Sequence, residues 1–134
     1  MADKLQFDLV TPEARVFTGA VDMVVAPGSE GDFGVLPGHA PFMTTIRPGA
    51  IAIHDDGKVS RTFIHGGFAE VTPAGLTILA EQAIALADVD IAKVKAELEE
   101  ARLNARDAAS EADRRIAEAE VEKLEALIQA VETV

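Results

Sequence analysis

Residues 27–41 read PGSEGDFGVLPGHAP, a run holding four glycines, three prolines, two acids and a histidine between two apolar segments. Glycine permits positive φ and close backbone approach, whereas proline fixes φ and removes a donor. That density describes an ordered path with several forced turns, with Val35-Leu36 pinned in its middle; a flexible linker would lack the prolines and the apolar pair. Glu30 and Asp32 sit at the glycine-rich end, where a turn faces solvent. The reading is an ordered, acid-tipped loop system.

On either side of this run the chain is punctuated into short apolar stretches. Lys4–Val10 alternates apolar and polar residues, the period-two sign of a half-buried strand. After a turn at Thr11-Pro12-Glu13, residues 14–17 and 21–26 read as two strands separated near Gly19. Residues 42–47 follow, closed by Pro48-Gly49, a dipeptide suited to a type II turn. Asp55-Asp56-Gly57 is a hairpin signal between residues 50–54 and 58–65, and its carboxylates read as solvated. Gly66-Gly67 and Pro73-Ala74-Gly75 set off residues 68–72 and 76–80, with a last short strand over 83–86. About ten short strands with regular turns predict an antiparallel β-sandwich or flattened barrel over residues 1–87.

The character changes at Asp88. From there to Val134 there is neither glycine nor proline, and strong helix formers dominate. Asp88 or Asp90 suits an N-cap, and Ile91, Val94, Leu98 and Ala101 share one helical face. Ser110 to Asp113 resembles a capping box. It opens a second helix with Ile116, Ala119, Leu124, Leu127, Ile128 and Val131 along one side. Residues 88–134 thus predict an antiparallel two-helix hairpin, giving an α+β chain. Alanine replaces leucine at much of the shared face, forgoing ~0.8 kcal/mol per CH₂. The hairpin is expected to be marginally stable and easily rearranged.

Composition narrows the function. The formal charge is −11 and the aromatic content 4%, with no cysteine. An acidic surface repels phosphate backbones and anionic lipid, so nucleic acid and direct membrane insertion are not expected partners. Cysteine-free chemistry excludes disulfides and thiolate catalysis. No apolar run approaches the ~20 residues of a spanning helix, and the start shows no secretory or transit leader.

Few residues suggest chemistry. His39, His54 and His65 could form a three-histidine metal site in a small barrel. They have no H-x-H pairing, however, and strand-end imidazoles are commonly structural. Gly28, Gly31 and Gly34 superficially form a phosphate loop, but Pro37 and Pro41 forbid the helix that would hold the anion, and two acids would repel it. Ser29, Ser60 and Ser110 lack a nucleophile setting. The residues describe a binding or structural module without catalytic residues, a cofactor or a metal.

Residues 28–41 (GSEGDFGVLPGHAP), Arg47-Pro48-Gly49, GGFAEV at 66–71 and LTILAEQA at 76–83 together resemble the epsilon subunit of F-type ATP synthases. The resemblance covers essentially the whole chain and implies the same order, ten strands and then a helical hairpin. It implies a non-catalytic rotor subunit whose sandwich binds the gamma subunit and rests on the ring of membrane-embedded proteolipids. It places this subunit peripherally, on the cytoplasmic face of a bacterial inner membrane. By residue type alone, Glu30 and Asp32 either solubilise a turn or meet a cation; the resemblance implies contact with the polar loops of the ring. Gly28, Gly31, Gly34, Pro37, Gly38, His39 and Pro41 then shape the loop.

In relatives the hairpin also reaches toward the alpha/beta catalytic head and restrains hydrolysis, and some relatives bind ATP on it. The matching residues here are Glu81, Asp90, Lys93 and Arg102. Lysine at 93 replaces the family's arginine and loses its planar fork, and Glu100 falls near a later arginine position, so ATP binding is expected to be weak or absent. Residues 111–134 carry seven acids against three bases, net acidic by four, which disfavours an inhibitory pose against an acidic head. Coupling and assembly therefore rank above inhibition. The alternative is a stand-alone nucleotide-sensing module.

Overall fold

The period-two pattern of Leu5–Val10 becomes β1, whose Leu5, Phe7 and Leu9 point inward and are fully or almost fully buried. A computed structural model describes residues 3–132. Nine more strands among the described residues complete the set in chain order: β2 Arg15–Val21, β3 Met23–Gly28, β4 Gly31–Val35, β5 Phe42–Thr45, β6 Gly49–Asp55, β7 Lys58–His65, β8 Phe68–Thr72, β9 Gly75–Leu79 and β10 Gln82–Ala85. They form two five-stranded sheets, ordered β2-β1-β9-β8-β5 and β10-β7-β6-β3-β4. Inward residues of both sheets, including Phe7, Leu9, Val24, Val35, Ile51, Ile64 and Ile78, make one apolar core.

Four local expectations are corrected. Gly19 does not separate two strands: it lies inside β2 opposite Phe7, and the corner falls at Asp22. Pro48-Gly49 is not a type II turn, because Gly49 has no positive φ and begins β6. Glycine is needed there because a Cβ would lie 2.9 Å from the Pro27 ring. Leu36 is not pinned; Val35 is buried but Leu36 is 56% exposed.

The fourth concerns residues 27–41, which form a hairpin and a separate crossover instead of one loop system. Gly28 and Gly31 pair across the Ser29-Glu30 turn, and β4 then runs back along β3 to Val35 opposite Val24. Ser29 and Glu30 keep ordinary φ while Gly31 takes +128°, so the positive-φ demand falls on the glycine. Residues 36–41 cross to the other sheet at the far end of β4. There His39 Nδ1 meets the Ala40 carbonyl at 2.6 Å and its ring lies 6.3 Å from Phe42.

One pairing is parallel: β1 lies beside β9, with Phe7 opposite Leu76 and Leu9 opposite Ile78. The β6–β7 hairpin matches expectation, since Asp56 and Gly57 take φ of 52° and 77° in a tight turn.

The chain divides into two compact units, Met1–Ala85 and Leu86–Val134. In the second, a short 3-10 turn over Leu86–Asp88 precedes α1, Ile91–Arg106, and α2, Glu111–Glu132. Asp90 is the N-cap of α1, accepting from the Lys93 N–H. Ser110 opens α2 by accepting from the Asp113 N–H at 3.1 Å. Val94, Leu98 and Ala101 are buried on α1 and Leu124 and Leu127 on α2. Ile116, expected on that face, is 71% exposed.

Candidate functional site

Strand register gathers the distant motifs at one end of the sandwich. The β3–β4 turn, Ser29-Glu30, lies beside the β5–β6 link: the Ser29 N–H donates to Thr45 O at 2.9 Å and the Arg47 N–H to Pro27 O at 3.0 Å. The Ile46 N–H donates to Gly67 O at 3.0 Å, which brings in the Gly66-Gly67 crossover. The Ala80 N–H donates to Val10 O and the Glu81 N–H to His65 O, adding the β9–β10 link. Three crossings between sheets and one hairpin tip therefore meet at this end.

Gly67 makes the junction possible. Its φ is +94°, and a Cβ there would stand 1.7 Å from Leu79 O. Only a residue without a side chain can occupy that place.

Arg47 organises the tip. Its Nη1 donates to Gly28 O at 2.7 Å, and its Nη2 engages Asp32 Oδ1. The planar fork thus holds a carbonyl on one side of the turn and a carboxylate on the other. Thr45 Oγ1 donates to Ser29 Oγ at 2.7 Å, adding a second tie. Glu30 is exposed and, among the described residues, has no ion-pair partner. The two tip acids, alike in sequence, are thus in different situations.

Beside this end lies an apolar hollow of about 340 Å³. Val10, Leu79 and Phe68 stand in adjacent register on the outer face of the first sheet and line it, with Pro12 and Gly67. Phe68 and Leu79 are 39% and 40% exposed. A charged tip next to an apolar hollow suits a protein partner.

The other expected site residues separate. His39 serves the β4–β5 crossover, His54 lies in β6, and His65 ends β7 with Nδ1 3.9 Å from Glu81 Oε2. They do not form a metal-ligand group; among the described residues the group with such spacing is Asp22, Asp55 and Asp56. Lys4 Nζ occupies it, at 2.8, 2.6 and 3.2 Å from the three carboxylates. Asp56, at 81% exposure, remains largely solvated as expected, while Asp55, at 41%, is partly shielded. The Asp22, Asp55 and Asp56 carboxylates hold the Lys4 ammonium well above the usual lysine range. Lys4, aided by the Asp56 backbone N–H, holds Asp22 below the usual carboxylate range.

For nucleotide, Glu81 belongs to the sandwich unit, while Asp90, Lys93 and Arg102 belong to the helical one. Asp90 is occupied as a cap. Arg102 faces Glu99 at 3.8 Å and Glu125 at 3.5 Å.

No polar or charged side chain is buried among the described residues, so none is desolvated as catalytic acids and bases commonly are. Fold and site define a ten-stranded β-sandwich with a following two-helix unit, whose charged tip stands beside an apolar hollow. A family model described as the ATP synthase delta/epsilon chain beta-sandwich domain matches residues 4–86. The chain is 65% identical to the ATP synthase epsilon chain of Maricaulis maris, covering 95% of this chain and 96% of that one. It is 50% identical to that of Parvibaculum lavamentivorans, over the whole of both. One chain in the mitochondrial ATP synthase of Euglena gracilis, solved with OSCP, F1 and the c-ring, superposes at a TM-score of 0.87 with 28% identity, covering 98% of this chain and 83% of that one. A chain from the Tetrahymena thermophila central stalk and c-ring gives 0.68 at 17% identity, covering 97% and 98%, which is likeness of fold. The chain belongs to the ATP synthase epsilon-chain family, whose members are non-catalytic rotor subunits of the central stalk.

Proposed function

We propose that this rotor subunit couples a proteolipid ring to the catalytic head by holding ring and gamma subunit as one rotating body. The mechanism is mechanical. A sandwich with a continuous apolar core transmits torque without yielding, and its Glu30 end meets cations on the polar loops of the ring. The apolar hollow at Val10, Phe68 and Leu79 supplies area for gamma. The observation that carries the reading is the convergence of the Ser29-Glu30 turn, Arg47 and Gly67 at one end of the sandwich. Motifs separated in sequence there build a single rigid foot.

No helix among the described residues is long and apolar enough to cross a membrane. Attachment at the cytoplasmic face of a bacterial inner membrane is then indirect, through gamma and the ring. The acidic balance of α2 favours coupling over restraint of hydrolysis, and the engagement of Asp90 and Arg102 within the helical unit favours weak or absent ATP binding.

Co-purification tests the reading. The full chain is expected to recover gamma and the proteolipid ring together, and the Glu30→Lys, Asp32→Lys double variant to lose the ring and proton-coupled ATP synthesis. Normal coupling in that variant would refute the ring contact. Calorimetric titration with ATP is expected to give no micromolar site.

A further inference from the structure

Glu30 and Asp32 lie two residues apart, and the double charge reversal cannot say which of them meets a partner. Asp32 is the fourth residue after Gly28 and pairs across the hairpin with Pro27. Its carboxylate faces Arg47, whose second arm reaches Gly28 O at 2.7 Å. Both Arg47 contacts end within the chain, and the Arg47 backbone is itself bound to Pro27. One guanidinium arm takes Asp32 Oδ1 and sets a positive charge beside the carboxylate, so a second cation gains less from Asp32 than from an unpaired acid. Glu30, at the apex of the turn, has neither an ion-pair partner nor a competing hydrogen bond among the described residues.

We propose that Arg47 is a positioning residue: it engages Asp32 inside the chain and so presents Glu30, alone of the two tip acids, to a cationic side chain of the docking partner. This rests on the proposed docking of that end of the sandwich on the ring. Arg47 does two things for Glu30. It neutralises the neighbouring charge, which leaves one defined negative point at the apex. It also fixes the turn by joining Gly28 to Asp32 across it, so the Glu30 backbone is ordered before docking and less entropy is lost on binding.

The two acids then differ in a way that a merely structural role cannot reproduce. Binding of the full chain to proteolipid ring carrying gamma is measured at several salt concentrations, with amide exchange at Ser29 and Gly31 followed in the free chain. Glu30→Gln is expected to weaken binding roughly tenfold and to flatten its salt dependence, with exchange unchanged. Asp32→Asn keeps an oxygen that can accept from Arg47, and is expected to leave affinity within about threefold and the salt dependence intact. Arg47→Met is expected to speed exchange at the turn and weaken binding while the salt dependence persists. Arg47→Lys, which keeps the charge without the fork, falls between.

An Asp32→Asn variant that loses affinity and salt dependence as Glu30→Gln does overturns the assignment alone. So does unaltered binding by Arg47→Met. Glu30→Gln and Glu30→Lys both binding normally, with turn exchange still fast in Arg47→Met, overturns the assignment together with the docking reading beneath it.

Discussion

The sandwich and the helical hairpin are built from the same aliphatic alphabet, yet they bury it differently. Inward residues of the sandwich, such as Phe7, Leu9, Val24, Ile51 and Ile78, are wholly inaccessible and belong to one cluster. Among the described residues of the helical unit, burial reaches five side chains, one of them Ala101, and stops before the α1–α2 connection. There, Ala101, Asn104, Ile116 and Ala117 border an open hollow of about 350 Å³ between the helices. Exposed ion pairs, Lys95 to Glu132 at 3.6 Å and Arg102 to Glu125 at 3.5 Å, span the helices instead. Such pairs add little, with a median near zero to ~1 kcal/mol. A densely packed unit and a thinly packed one therefore coexist in one short chain, and the thinner packing lowers the cost of opening the helices locally.

The largest effect is expected at Gly67. Gly67→Ala places a Cβ against Leu79 O in a left-handed backbone, and strain with overpacking should remove about 3–5 kcal/mol from sandwich stability in urea titration. Gly34→Ala, with no atom within 4 Å of the new Cβ, is the control and should stay within about 1 kcal/mol. Equal effects would break the account of the junction.

Core truncation comes next and measures the contrast directly. Phe7→Ala should cost about 3–5 kcal/mol, and Leu124→Ala about 2 kcal/mol, the lower end for truncating a leucine. Hydrogen exchange is expected to locate the second loss in α1 and α2, with β1 and β9 amides unaffected. Protection in the helices equal to that of the central strands would contradict the comparison.

The Lys4 cluster predicts a pH signature confined to the sandwich. Asp22 has a depressed folded pKa, so its stabilisation is present above the ordinary value of 3.8 and is lost as pH falls through the folded one. Lys4 has a raised folded pKa, so its contribution is complete below 10.5 and is lost as pH rises through the folded value. Lys4→Met should therefore lower Tm at neutral pH, and the difference from the parent should shrink in acid. A difference independent of pH would show that lysine's aliphatic stem, and not its charge, matters. The smallest effect is expected at Ile116. Ile116→Gln should change stability by no more than about 0.5 kcal/mol by thermal melting, because the side chain is already in solvent.

Several elements were legible in the residues. Period-two alternation identified β1, flanking turn signals set off β6 and β9, and Asp56-Gly57 announced its turn because positive φ there narrows the choice of residue. The Asp90 cap and Ser110 start were readable for the same local reason. Arg47 was visible only as part of a motif, and Lys4 not at all. A signal for Arg47 did exist, a lone guanidinium close to an acid-tipped turn in a chain of net charge −11. Lys4 meets Asp55 across fifty-one positions, and nothing local marks such a partner.

The sequence by itself determined the strand and helix content, the change of character at Asp88 and the likeness carried by residues 28–41, because each depends on neighbours within a few positions. Tertiary structure decided that β1 lies parallel to β9, that residues 27–41 divide into a hairpin and a crossover, and that Arg47 meets Asp32 and not Glu30. Those outcomes depend on register between distant strands, where packing of the shared core selects one pairing from many that local sequence allows equally.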